Sequence, residues 1–311
     1  MKLLLIGTCR QPTMNVGSNG LGRHTYDFLT KFKEKSNVNL TTFLHKDSKL
    51  EWNDIRQYHY EDEVHNLQRI IDHIEQEKYD VVLDFSHWHL LSNAVGDKYP
   101  IINFIHDEEC RYSPPNCMLG NEWQKKTYTT GRIFTTGINF SKYKLYEKKK
   151  DYFSFCGKLE LRKGYDIAYD ISKAAGIRTI FAGPDVDGRA NQLGEWMGEI
   201  SNHQKFCDFV GESKALFYPS RADAGGMGIW EAMAMGTPTI TTSQSGAQYN
   251  VIHGVTGFVV SNIDEAIQAT KDVSNLNPAD IRKVCETKWD FNKNFDIMFK
   301  QIEDFCNGDR W

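Results

Sequence analysis

Short apolar runs alternate with longer stretches in which apolar residues recur every three or four positions, and this rhythm holds along the whole chain. Leu3, Leu4, Leu5 and Ile6 begin it, reading as a buried strand over residues 2–6. Residues 23–35 follow with Tyr26, Phe28, Leu29 and Phe32 near helical spacing. A strand is expected over 38–44, a helix over 64–77 with Leu67, Ile70, Ile71 and Ile74 on one face, and strands over 81–85 and 101–105. A second series starts at 152–156 and continues with a helix over 167–175 and strands at 178–182, 207–210, 215–218, 239–242 and 257–260. A helix over 263–271 and a tail over 289–305 close the chain, the tail striped by Phe291, Phe295, Met298, Phe299 and Ile302. Strand and helix in strict alternation predict α/β layers with parallel sheets.

With 311 residues the chain is long enough for two cores. The charge run at residues 148–151 marks the boundary between the two series. Composition is that of an ordinary soluble enzyme, 40% hydrophobic and 25% charged. A net charge of −4 provides no global attraction to nucleic acid or to an anionic membrane. No run approaches the roughly 18 apolar residues of a membrane span, and the opening apolar run is too short for a signal peptide. The expected location is therefore cytoplasmic, with peripheral membrane association left open. Seven cysteines in unpaired spacing fit free thiols in a reducing compartment. A zinc reading of His106, Cys110 and Cys117, helped by His87 and His89, lacks any Cys-x-x-Cys spacing, so no metal is expected.

The densest chemistry lies in residues 219–240, Pro-Ser-Arg-Ala-Asp-Ala-Gly-Gly-Met-Gly-Ile-Trp-Glu-Ala-Met-Ala-Met-Gly-Thr-Pro-Thr-Ile. Asp223 precedes a turn made by Gly225, Gly226, Met227 and Gly228, and Glu231 follows one turn into the helix that the turn opens. Two carboxylates eight positions apart thus flank a helix start at the end of a strand. Ligands of open α/β sheets bind at that rim, and freed N–H groups there favour hydroxyl or anionic groups. Glu231 can accept paired hydrogen bonds from a vicinal diol such as a ribose.

This segment resembles the signature of retaining nucleotide-sugar glycosyltransferases, the family 4 (group 1) enzymes of the GT-B architecture. Their pattern is Glu, seven residues, Glu, then Ala-Met-Ala-x-Gly-Thr-Pro; here Asp223 stands at the first acid. The resemblance implies that Asp223 and the glycine turn touch the donor sugar and that Glu231 binds the ribose. Residues 155–166 resemble the family's Gly-Arg-Leu…Lys-Gly element, so Lys158 and Lys163 map to the cations that clamp the donor diphosphate. Lys158 keeps the charge of the usual arginine without its fork, and Arg162 is a further cation beside it. Two such cations suit a departing nucleoside diphosphate, whose negative charge grows in the transition state. The Ser-Asn-Gly-Leu-Gly-Arg-His loop at 18–24 is similar to the family's Gly-Gly-x-Gly-Arg loop, with Gly20 and Gly22 letting backbone amides approach the donor. His106, after a buried strand, takes the place of a family histidine that contacts the transferred sugar; His87, His89 and His24 stand as candidate cleft-wall or acceptor residues. In the fourth matching segment, 242–260, Tyr249 replaces the family's acid, whose role is not carried over.

The resemblance implies two doubly wound Rossmann-like domains facing across a cleft. Residues 1–149 form the acceptor domain, 150–290 the nucleotide-sugar donor domain, and 291–311 a C-terminal helix crossing back to the first. The expected function is retaining transfer of a sugar from a nucleoside-diphosphate sugar to an acceptor hydroxyl, without a metal or other cofactor. His106, Lys158, Lys163 and Asp223 are its candidate catalytic residues. No nucleophile is evident for a covalent intermediate, and front-face displacement, with the departing phosphate helping to deprotonate the acceptor, is what the resemblance implies. The acceptor stays open between a glycan, a lipid, a small molecule and a modified nucleobase. A catalytically weak nucleotide-sugar-binding scaffold and a nucleotide-sugar epimerase are the alternatives outside transfer.

Overall fold

The computed structural model describes residues 1–10, 12–14, 20–48, 50–106, 114–128 and 131–311. The chain divides into two compact units, one of residues 1–136 with 292–311 and the other of residues 137–291.

In the first unit seven strands pair in parallel: β1 (Lys2–Ile6), β2 (Asn39–His45), β3 (Arg56–Tyr60), β4 (Val81–Asp84), β5 (Ile101–Phe104), β6 (Cys117–Leu119) and β7 (Arg132–Ile133). Their order is β3-β2-β1-β4-β5-β6-β7. The connecting helices are α1 (Gly20–Glu34), α2 (Glu63–Glu77), α3 (Leu90–Val95) and α4 (Glu122–Thr127). Leu3, Leu4, Val81, Val82 and Leu83 are wholly buried, as continuous apolar runs must be when helices cover both faces of a parallel sheet. Phe28 of α1 meets Phe85 at 5.1 Å and Phe104 at 5.4 Å.

The second unit contains β8 (Phe153–Cys156), β9 (Thr179–Ala182), β10 (Glu195–Trp196), β11 (Leu216–Tyr218), β12 (Thr239–Thr242) and β13 (Gly257–Val260). They are also all parallel, in the order β10-β9-β8-β11-β12-β13. Its helices are α5 (Tyr165–Ala175), α6 (His203–Gly211), α7 (Met227–Ala234), α8 (Ile263–Asp272) and α9 (Pro278–Trp289). Counted from each unit's own first strand, both sheets contain the doubly wound 3-2-1-4-5-6 order. Helix α7 is apolar nearly all round and is correspondingly sunk in the core, with Ile229, Ala232 and Met233 fully buried.

The last helix, α10 (Phe291–Cys306), has its 292–306 portion in the first unit. Phe295 packs on Phe28 and Phe32 at 6.2 and 5.0 Å, and Asp296 pairs with Lys35 at 2.8 Å. Phe295 and Phe299 of the apolar stripe read along the tail therefore lie against α1, whereas Phe291 belongs to the second unit.

Three local departures from the sequence reading have physical causes. The first unit ends at Thr136, ahead of the lysine run, because Ile138, Phe140, Tyr143 and Tyr146 are apolar or aromatic and join the core of the second unit. Residues 207–210, expected as a strand, lie in α6, which Asn202 starts by accepting the Lys205 amide at 2.9 Å; the cap and a helical face of buried Cys207 and Val210 outweigh the short apolar run. Asn275 to Ala279, whose Asn-Pro chemistry reads in the sequence as a loop, instead opens α9 at Pro278: Asn277 accepts the amides of Ala279 and Asp280, and proline is well placed in a first turn.

Candidate functional site

The sheet order of the second unit reverses between β8 and β11, so the loops leaving these two strands flank the switch point, the usual ligand position in such sheets. The first loop runs from Gly157 through a 3-10 turn, Leu161–Lys163, to Gly164, which opens α5. The second runs from Pro219 to Gly226, which opens α7 without a side-chain cap.

Backbone proximity locks the loops together. Gly164 has φ +75, and a Cβ there would stand 2.0 Å from the Pro219 carbonyl oxygen, a contact only glycine allows. The Arg221 amide donates to the Arg162 carbonyl at 2.9 Å, and the Ser220 hydroxyl donates to the same oxygen at 3.1 Å. Arg221 also grips Asp166 with both guanidinium nitrogens, at 2.7 and 2.6 Å. A third loop, after β12, closes on the second: the Gly246 amide donates to the Asp223 carbonyl at 2.8 Å, and Asn250 Nδ2 donates to the Gly225 carbonyl at 2.5 Å.

Within this frame Lys163 Nζ lies 2.5 Å from Asp223 Oδ2, and the Tyr218 hydroxyl donates to the same oxygen at 2.7 Å. The Gly225 amide reaches Asp223 Oδ1 at 3.3 Å. Burial pushes the Asp223 carboxyl up, but the Lys163 ammonium, the Tyr218 hydroxyl and the Gly225 amide together outweigh it and hold the group below the usual carboxylate range. Burial, and then the Asp223 charge, push the Tyr218 phenol well up, so it remains a neutral donor.

Glu231 is 2% exposed and accepts from the Tyr143 hydroxyl at 2.7 Å through Oε1. The Tyr143 ring is fixed edge-on against His203 at 5.3 Å, and its carbonyl accepts from Arg282 at 2.8 Å. Lys158 is exposed and has no ion-pair partner among the described residues. Met227 and Gly228 form the first turn of α7.

The structure therefore gathers Lys158, Lys163, Asp223, Gly225, Gly226, Met227, Gly228 and Glu231 around adjoining loops of one unit. Tyr143, Tyr218 and Asn250 were not singled out from sequence. Tyr218 ends the strand that feeds the motif, which is a usable signal; nothing near Tyr143 in the chain announces its bond to a residue far along it. Arg162, expected as a further cation, turns to Glu160 at 3.2 Å and to the Ala222 carbonyl at 3.3 Å.

The other predicted residues belong to the first unit. Gly20 and Gly22 lie in the first turn of α1 rather than in a loop before it, while Ser18 and Asn19 fall outside the described residues. His106 follows β5, with its ring 5.2 Å from Phe85. Burial, then the neighbouring His24, His87 and His89, drive its pKa well below the ordinary value, so the ring is neutral at neutral pH. Its Nε2 is sealed from water and has no hydrogen-bond partner among the described residues. No cluster of three or more His, Cys, Asp or Glu side chains with metal-binding geometry occurs among the described residues. None of the described helices is long and apolar enough to cross a membrane.

Residues 138–279, all within the second unit, match the family model of glycosyl transferases, group 1. The match is confined to the second unit and covers less than half of the chain. The whole chain superposes on solved structures of the GT-B fold. One is AviGT4, a glycosyltransferase involved in avilamycin A biosynthesis, at TM-score 0.75 and 18% identity, covering 100% of this chain and 99% of that one. Another is sucrose-phosphate synthase of Thermosynechococcus elongatus, at TM-score 0.76 and 14% identity, covering 98% of each chain. A third is HepE of Anabaena in complex with UDP-glucose, at TM-score 0.71 and 14% identity, covering 98% of this chain and 100% of that one. Identities this low establish the shared fold. No curated protein matches the sequence. The switch point between β8 and β11 lies within the residues that match the family model.

Proposed function

We propose that the protein transfers a sugar from a nucleoside-diphosphate sugar to an acceptor hydroxyl with retention at the anomeric carbon, and that the second unit holds the donor. The observation that carries the reading is the pairing of a cationic loop with a buried acid at one switch point. Lys158 and Lys163 stand where a diphosphate would need charge, and Glu231 is held by Tyr143 as an acceptor for a ribose diol. Neighbours of this fold include one solved with UDP-glucose.

Charge that grows on a departing diphosphate is stabilised by fixed cations, and positioning does the remainder. Lys158, exposed and without an ion-pair partner among the described residues, is assigned to the phosphates directly. Lys163 is assigned to them after exchanging its carboxylate partner for the donor, and Asp223, with the amides of Gly225 to Gly228, to the donor sugar. The resemblance adds front-face displacement, in which the departing phosphate takes the acceptor proton. It also assigns the glycine pair Gly20 and Gly22, and His106, as the first unit's contributors. Transfer on this reading runs on protein cations, and activity persisting in excess EDTA is the expected result.

Thermal shift against UDP-, GDP-, ADP- and TDP-sugars tests the core of it. A cognate donor at 100 times its dissociation constant stabilises the fold by about 2.7 kcal/mol. Glu231→Ala and Lys163→Ala should remove both that shift and transfer to an acceptor. A protein that responds to none of the four donor classes overturns the proposal, and donor isomerisation without acceptor replaces transfer by epimerisation.

A further inference from the structure

In the first unit, the loop joining β4 to α3 is built more heavily than a connection requires. Asp84, fully buried at the end of β4, accepts the Ser86 amide at 2.8 Å and lies 3.5 Å from His89 Nδ1. His89 is itself in the left-handed region, φ 48 and ψ 40, at a cost of about 1–2 kcal/mol for a residue with a Cβ. Glu63, from the first turn of α2, accepts the His87 amide at 3.2 Å, and Thr8, just after β1, bonds His87 Nδ1 at 2.8 Å. Two buried carboxylates and a strained histidine thus hold the four residues Ser86 to His89 in place. Among those four the structure leaves one large side chain in solvent, Trp88, 42% exposed. Arg10, also exposed and also on the loop after β1, lies over its ring at 4.6 Å. Loops β1 and β4 diverge where this sheet's own strand order reverses, so the pair sits at the rim position where open α/β sheets take ligands.

We infer that Arg10 and Trp88 form a saccharide subsite of the first unit, selective for a sugar that carries an acidic group, carboxylate or phosphate. The inference rests on the sugar-transfer reading and names the class of its acceptor. An indole presents a wide electron-rich face to the weakly electropositive C–H face of a pyranose. A guanidinium lying on that ring keeps a planar fork of donors for an oxyanion at the sugar's edge. Arg10 has no carboxylate partner among the described residues, so that fork is available to a ligand. A purely apolar occupant would leave the arginine unused, and the net charge of −4 opposes a nucleic-acid strand. The buried supports fix the backbone on either side of the tryptophan before the ligand arrives, which spares part of the ordering cost of binding.

Calorimetric titration of the full chain with methyl glucuronide, glucose 6-phosphate and neutral methyl glucoside tests this, in the presence and absence of UDP. The two acidic probes should bind about tenfold tighter than the neutral one, and the tighter of the two identifies the anion. Trp88→Ala should abolish binding of all three, Trp88→Phe should retain it, and Arg10→Gln should bring the acidic probes to the level of the neutral one. UDP should displace none of them. Unfolding midpoints of the variants, expected to match the parent, separate lost binding from lost fold. The inference is overturned by equal affinity for acidic and neutral probes, by no binding at all, by unchanged binding in Trp88→Ala, or by displacement with UDP. Those results leave the transferase reading standing as long as a nucleotide-sugar still stabilises the protein, and loss of that stabilisation sinks the transferase reading by itself.

Discussion

The two sheets wind in the same order through six strands, yet their rims are built on opposite principles. In the second unit the loops after β8, β11 and β12 approach through glycine: Gly164 against Pro219, Gly226 against the Tyr218 ring, Gly246 against Ala224. Close backbone contact leaves lysines at the surface of that rim. In the first unit the corresponding loops are held by the buried side chains of Glu63, Asp84 and His89 and by the half-buried His87, which put an indole and a guanidinium at the surface. Topology decides where a site lies in such sheets, and the local side chains decide which ligand it suits. On the readings proposed above, one rim takes a diphosphate and the other a sugar ring.

The comparison breaks first at Gly164. Gly164→Ala forces a Cβ into the Pro219 carbonyl at φ +75 and should cost about 3 kcal/mol in urea unfolding. Gly176, at φ +64 with open space around its Cβ position, is the control; Gly176→Ala should cost only about 1 kcal/mol. Equal losses would mean that loop proximity contributes nothing.

A second contrast is in pH. Burial, then the Asp84 charge, push the Glu63 carboxyl up to about 7 against the opposing His87 amide, His89 and Cys9. A raised acid binds more protons folded than unfolded, so its stabilising contribution is full below about pH 4.5 and is lost as pH rises through about 7. In the second unit burial pulls the Lys149 amine down to about 7, while Nζ donates to the Gly211 carbonyl at 2.7 Å and to Thr237 Oγ1 at 2.8 Å. Its contribution has the opposite sense: full above pH 10.5 and lost as pH falls through about 7. Each limb changes by at most about 1.4 kcal/mol per pH unit. Glu63→Gln should flatten the acid limb of the melting profile alone, and Lys149→Met the alkaline limb alone. A variant that flattens the wrong limb refutes the assignment.

The smallest effect belongs to Tyr143→Phe. It deletes one hydrogen bond to Glu231 and keeps the ring against His203. Donor affinity should fall about fivefold with kcat at saturating donor unchanged. A fall in kcat with unaltered donor affinity would show that Glu231 serves the chemical step and not the ribose.

Much of the second unit could be read from the chain because its chemistry is local. Asp223, the glycine turn and Glu231 follow one another along a single strand–loop–helix passage, so their spacing alone puts them at one helix start. The Gly157 to Gly164 loop is equally contiguous. The first unit offered less. His106 and the glycine pair could be singled out as candidates from their spacing, but the support of Trp88 draws on Thr8, Glu63, Asp84 and His89 from separate elements, and no short-range pattern encodes such a network. The strand expected at 207–210 went astray for a related reason, since four apolar residues fit a strand and a helix face equally well and the Asn202 cap lies outside them.

By itself the sequence determined the alternation of strands and helices, the apolar stripe of the last helix and the residues that surround the β11–α7 turn. These follow from periodicity and from the backbone freedom of glycine, which act over a few residues. Only the tertiary structure decided that Lys163 faces Asp223, that Tyr143 holds Glu231, and that residues 138–149 belong with the second core. Each of those depends on strands from distant parts of the chain lying side by side, and partners chosen that way leave no trace in local spacing.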